Sequence, residues 1–281
     1  MNSSVIHTRL GFIEYRSVGS GKPIVFIHGG HSNCHETLAH KGFDISKFRL
    51  LTPTRPGYGK TPLGNNQTPG KAAELIVELL KNLSINKAII YGISAGGLTA
   101  LKLAEEYPSY VEKLILASAV SKKWLDSKHA IYITAQIIFN PKIEGITWGM
   151  VRFFAKIFPR LMAKSFYSQF STFPSYEPRK KDIDELILAL KNYRSKKGFL
   201  NDIKQTIHSE SIKKIKTPCL IVHSTYDHSV PLEHATHAHK LIKNSTLVEL
   251  SNEWGHLLWI GQDAEEFLNI IRKFVNEKVS I

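Results

Sequence analysis

The sequence predicts an α/β fold, a mainly parallel sheet covered by helices on both faces, with a helical segment inserted into it. Three observations predict it. Short apolar runs near residues 24 to 27, 48 to 52, 87 to 91, 111 to 117, 218 to 223 and 246 to 250 have the length and β-branched content of buried parallel strands. Helical patterns fill the gaps, so strands and helices alternate as parallel crossovers require. From about Ser121 to about Ser211 that regularity breaks.

The chain through Val18 reads as an N-terminal hairpin. Ile24 to Ile27 is a buried strand ending in His28-Gly29-Gly30-His31. The strand near residues 48 to 52 runs into the loop Leu51 to Thr61, and Lys71 to Leu80 carries an apolar helical face. Ala88-Ile89-Ile90-Tyr91 leads into Gly92-Ile93-Ser94-Ala95-Gly96-Gly97 and then the helical stretch Leu98 to Ala104. Pro218 to His223 is a strand followed by Ser224-Thr225-Tyr226-Asp227, Thr246 to Leu250 leads to Gly255-His256, and Ala264 to Val275 forms the last helix. These boundaries give a core of residues 1–120 and 212–281, with residues 121–211 as an inserted helical cap. For 281 residues, one core with an insertion accounts for the length without a second domain.

Chemistry concentrates at Ser94. A strand, a tight turn and a helix hold a serine in an unfavourable backbone conformation with its hydroxyl above the sheet edge, and flanking glycines leave room for that turn. The helix N-terminus then faces developing negative charge. A hydroxyl needs a base, and the base needs an orienting group. Asp227 follows one predicted strand and His256 another, so Ser, Asp and His come in that chain order, each just beyond a strand. Asp126, after the sixth strand, is the competing acid, but it lies well past the strand end. For the oxyanion, the amide of Gly30 is the first choice of donor, with the amide of Ala95 after the nucleophile.

With His28-Gly29-Gly30, Arg55-Pro56-Gly57-Tyr58-Gly59, Gly92 to Gly97, Asp227 and Gly255-His256 in place, the chain resembles the α/β-hydrolase superfamily over all but its middle. The resemblance implies an eight-stranded-type sheet, a lid-bearing esterase- or lipase-like activity and a Ser94–His256–Asp227 triad. One departure is Thr54, where many members carry an aspartate in a structural position.

The cap segment contains Trp148, Phe153, Phe154 and Phe158. Phe154 and Phe158 share a helical face, so with His31 and Trp148 they are the expected substrate-pocket residues. Residues 121 to 215 hold eighteen Lys or Arg against eight Asp or Glu, most of the formal net charge of +13. Steering of anions or contact with an acidic membrane is the functional reading. A solvated lysine-rich face is the reading adopted, since no nucleic-acid motif accompanies it. Histidines 28, 31, 35, 40, 234, 237 and 239 lack a zinc spacing and are expected on the surface, with no metal and no cofactor. Cys34 and Cys219 are expected as free thiols. The first residues lack an apolar leader and no run is long enough to span a bilayer, which points to a cytoplasmic protein without stable membrane insertion.

The expected function is acyl-bond hydrolysis of a small or medium apolar ester through an acyl-enzyme. Hydrolysis of C–C, lactone, thioester or amide bonds uses the same parts, and a slow-turnover ligand sensor on the same fold is the alternative of a different class.

Overall fold

Alternate residues of each central strand enter two different cores, and this period of two explains why both strand faces are apolar. In a computed structural model, which describes residues 3–125, 130–174 and 177–277, eight strands form. They are β1 (Ser4–Thr8), β2 (Gly11–Val18), β3 (Lys22–Ile27), β4 (Phe48–Pro53), β5 (Ala88–Ile93), β6 (Val111–Ala117), β7 (Cys219–Ser224) and β8 (Ser245–Leu250). They lie in the order β1-β2-β4-β3-β5-β6-β7-β8. The β1–β2 and β2–β4 pairs are antiparallel and the remaining pairs parallel.

Val25 and Ile27 of β3, Ile90 of β5 and Leu116 of β6 share one core with helices α1 (Pro69–Asn82), α2 (Gly97–Glu106) and α9 (Glu233–Leu241). Ile24, Phe26, Tyr91 and Ile115 point the other way, toward α10 (Ala264–Asn276). Helix α1 starts where the Thr68 hydroxyl accepts the Lys71 N–H at 3.2 Å, with Pro69 in the first turn, where its missing N–H costs nothing.

Between β6 and β7 lie α3 (Ala130–Ile138), α4 (Glu144–Ile157), α5 (Pro159–Phe170), α6 (Lys180–Leu190), α7 (Gly198–Asp202) and α8 (Ser209–Lys213). Trp148, Tyr167, Leu186 and Leu190 from this segment complete the core on the α10 side. Helix α8 instead packs on α2 and α9. No helix among the described residues is long and apolar enough to cross a membrane.

The chain leaves β3 for β4 on one side and returns to β5 on the other. The loops after β3 and β5 therefore part at the carboxyl edge of the sheet, where such folds open a crevice.

Candidate active site

Ser94 begins one turn of 3-10 helix between β5 and α2, with a left-handed φ of 49°. A non-glycine residue held there stores strain, which the surrounding packing must impose. The flanking glycines permit that packing by leaving room for the neighbouring elements. A Cβ on Gly92 would lie 2.6 Å from Ala100 Cβ, and one on Gly96 would lie 2.2 Å from the Ile27 carbonyl oxygen. The elbow is thus pressed against α2 on one side and β3 on the other.

The structure brings the three residues from the ends of β5, β7 and β8 into one hydrogen-bonded chain. His256 Nε2 is 3.0 Å from Ser94 Oγ, and His256 Nδ1 is 2.8 Å from Asp227 Oδ2. Because the carboxylate is an acceptor, Nδ1 carries the imidazole proton and Nε2 faces the serine as a base. Asp227 Oδ1 accepts the N–H groups of Ser229 at 2.9 Å and Val230 at 2.8 Å. Burial opposes its ionisation, but the neighbouring His256 and hydrogen bonds from His223 and His256 outweigh burial, and the carboxyl is held down at about 2.

His223 was not anticipated. Its Nε2 lies 3.2 Å from Asp227 Oδ2 and 2.7 Å from the Val230 carbonyl, both acceptors, so Nε2 is protonated and forks between them. The available signal was an unpaired polar residue inside an otherwise apolar strand. Phe170 was likewise missed. Its ring lies parallel to the His256 imidazole, and its carbonyl accepts the N–H groups of His256 at 2.9 Å and His228 at 3.2 Å.

The loop after β3 is gripped by Arg55. Its guanidinium donates to the His28 carbonyl at 2.7 Å and the Gly29 carbonyl at 3.1 Å, and makes two 2.7 Å bonds to Asp202. The Tyr58 hydroxyl adds a 2.6 Å bond to the same carboxylate. Burial works against the Arg55 charge, and Asp202 with Tyr58 more than offsets it, so the ordinary high pKa is raised further. His28 Nε2 accepts the Arg55 N–H at 2.9 Å, and burial followed by the Arg55 charge keeps that imidazole neutral. Gly30 and Ser94 border the same cavity, while Ala95 is buried behind the serine. The Gly30 N–H meets no backbone acceptor in the loops and turns among the described residues.

A cavity of about 670 Å³ opens above Ser94. His31 and Trp148 line it as expected, joined by Phe139, Phe170 and Phe199. The His31 ring packs, tilted, 3.8 Å from Phe199 between centroids, shares the Ser195 hydroxyl with Trp148 Nε1, and is driven down to about 3 by burial. Phe154 and Phe158 do not line the cavity. They stack on each other at 6.5 Å on the outer side of α4, 39% and 51% exposed, because α4 turns Trp148, Val151 and Ala155 inward instead.

The surface expectation for the histidines fails at His28 and His234, both buried with ring nitrogens that accept the N–H groups of Arg55 and Ser121, at His31 against Phe199, and at His40, which packs on Phe26 and bonds Thr52 at 2.9 Å. Thr54 fills its structural position, accepting the Cys34 N–H at 3.0 Å and donating to Glu14 at 3.3 Å. Among the described residues one trio, Glu14, Cys34 and His35, brings metal-ligating atoms within 4.8 Å of one another. Glu14 there is already bonded to Ser3, Thr54 and Lys60. Both cysteines are buried free thiols. Asp126, the competing acid, lies outside the described residues.

The chain is similar to several known hydrolases. An uncharacterized hydrolase, YcgS, of Bacillus subtilis is 37% identical over 271 residues, covering 94% of this chain and 95% of its own length. A proline iminopeptidase of Saccharolobus solfataricus is 26% identical, covering 95% of this chain and 89% of its own. An alpha/beta hydrolase fold protein from Nakamurella multipartita superposes with a TM-score of 0.80 at 24% identity, over 97% of this chain and 98% of that one. The sequence profile of the alpha/beta hydrolase fold matches residues 22–261, from β3 through the His256 loop, and the chain belongs to that family of hydrolases.

Proposed function

We propose that the protein is a serine hydrolase that cleaves a carboxylic ester of a small or medium apolar acyl group. The single observation that carries this reading is the unbroken chain from Ser94 Oγ through His256 to Asp227, at 3.0 and 2.8 Å. His256 Nε2 takes the Ser94 proton as Oγ bonds to the acyl carbon, and Asp227 holds the imidazole tautomer. The N–H groups of Gly30 and Ala95 receive the oxyanion. His256 returns the proton to the departing alcohol, and water, deprotonated by the same nitrogen, releases the acid and restores Ser94. Residues 121–211 act as the cap over this site. The aromatic walls favour an apolar acyl group, and among the described residues no Lys or Arg lines the cavity.

An activity screen over acyl-chain length and bond type, with Ser94→Ala as control, tests the proposal. Multiple turnovers on esters, a fluorophosphonate adduct at Ser94 and loss of both in the variant are expected. Amide, lactone or C–C cleavage in preference to esters would keep the machinery and change the substrate. A single slow turnover would make the protein a sensor.

A further inference from the structure

Helix α4 presents two apolar stripes of the same period on opposite sides. Trp148, Val151 and Ala155 face the cap interior, whereas Ile146, Met150, Phe153 and Ile157 form an i, i+4, i+7, i+11 row on the outside. Leu161 of α5 extends that outer row. Its members are well exposed, Ile146 at 67%, Phe153 at 59% and Leu161 at 65%. Helix α3 adds Ile133 and Ile137, also on the side away from the cavity. Soluble proteins rarely leave so continuous an apolar face to water without a use for it.

Cations dominate the charge on this face. Residues 142–174 contain Lys142, Arg152, Lys156, Arg160 and Lys164 with a single acid, Glu144. Glu144 is buried under Arg194, which it binds at 2.7 Å, and adds no negative charge to the surface. Lys164 pairs with Glu177 at 2.8 Å, and Arg152 donates to the Tyr193 carbonyl. Lys142, Lys156 and Arg160 have no salt-bridge partner among the described residues.

We infer that the outer face of α4 and α5 docks on an anionic lipid surface. An apolar row flanked by lysine and arginine is what lies stably in a headgroup layer, with the apolar side chains entering the acyl boundary and the cations meeting lipid phosphates. A second copy of the chain fits worse, since pairing this face with itself would oppose two sets of unpaired cations. Docked in this way, the cap places the cavity on its inner side beside a reservoir of apolar acyl compounds.

Sedimentation of the full chain with phosphatidylcholine vesicles, with and without phosphatidylglycerol, tests the inference, using Met150→Glu/Phe153→Glu and Lys156→Glu/Arg160→Glu variants. Expected is binding to the anionic vesicles that weakens as salt rises and falls about tenfold or more in each variant. Turnover of a soluble short-chain ester in solution should stay unchanged in both, which shows that they fold. No binding to anionic vesicles at low salt overturns the inference, as does equal binding of wild type and the charge variant. A dimer in light scattering that Met150→Glu/Phe153→Glu dissolves also overturns it and gives the face to a second copy. Vesicle binding needs no catalysis, so docking without any ester turnover would sink the proposed function and leave this inference standing.

Discussion

The Phe170 ring lies 12° from parallel to the His256 imidazole, 5.9 Å between centroids, while the Phe170 carbonyl accepts the His256 N–H at 2.9 Å. One residue at the end of α5 thus fixes both the plane and the backbone of the base. Its neighbour Ser171 bridges to Asp227, and the Thr172 N–H reaches the Tyr226 carbonyl at 3.0 Å. The inserted segment braces both triad loops.

Phe170→Ala should keep the backbone bond and lose the stacking, worth about 1 kcal/mol. The expected result is a fall in kcat of about three- to tenfold with a small fall in Tm, measured by steady-state kinetics and thermal denaturation. An unchanged kcat with a lowered Tm would reduce Phe170 to packing.

Asp227 makes stability depend on acid. Its folded value of about 2 lies below the ordinary 3.8, so the unfolded chain binds the proton more readily. The ionised carboxylate then contributes about 2 kcal/mol above pH 4, and that contribution is lost as pH falls toward 2. Chemical denaturation of wild type and Asp227→Asn should show a stability gap at neutral pH that closes across this window. The same variant is expected to lower kcat about 10⁴-fold.

Arg55 and Asp202 form an ion pair with side chains only 4% and 9% exposed. Asp202→Asn leaves the guanidinium without its counter-charge and should cost about 3 to 5 kcal/mol in denaturant unfolding. Replacing both, Arg55→Met with Asp202→Leu, should recover much of that stability. It should not recover kcat, because the His28 and Gly29 carbonyls lose the donor that orients the Gly30 N–H. Full recovery of both would make the pair structural only.

Trp148→Ala and Phe139→Ala should shift the preferred acyl length, lowering kcat/KM unequally across chains by about 0.8 kcal/mol for each methylene left without contact. Phe154→Ala and Phe158→Ala, on the outer side, should leave that preference unchanged. A shift in these two alone would place the acyl group elsewhere.

The strands and the meeting of Ser94, Asp227 and His256 were legible because each depends on a local pattern. An apolar run of five or six residues followed by a turn marks a sheet edge, and Ser94, Asp227 and His256 each stand at one. The helices between β6 and β7 were legible only as an insertion. Helix α4 carries apolar residues on two faces with one period, so no rule of spacing says whether Trp148 or Phe154 turns inward. Phe139, Phe170, Phe199 and Asp202 act through partners 50 to 170 residues away, and His223 acts through a fork that only the fold of the Asp227 turn creates. Burial of His28 and His234 was invisible for the same reason, since their partners are loop amides with no sequence signature.

The Arg55–Asp202 contact limits how freely this enzyme can be recombined. Asp202 belongs to the inserted segment, yet its counter-ion holds the strand end from which Gly30 projects. A cap exchanged for that of a relative would carry the acid away and strand a buried cation beneath the site, unless the new segment brought a carboxylate to the same spot. Chimeras of this chain should therefore survive when the graft boundary leaves α7 with the core or the graft supplies that carboxylate.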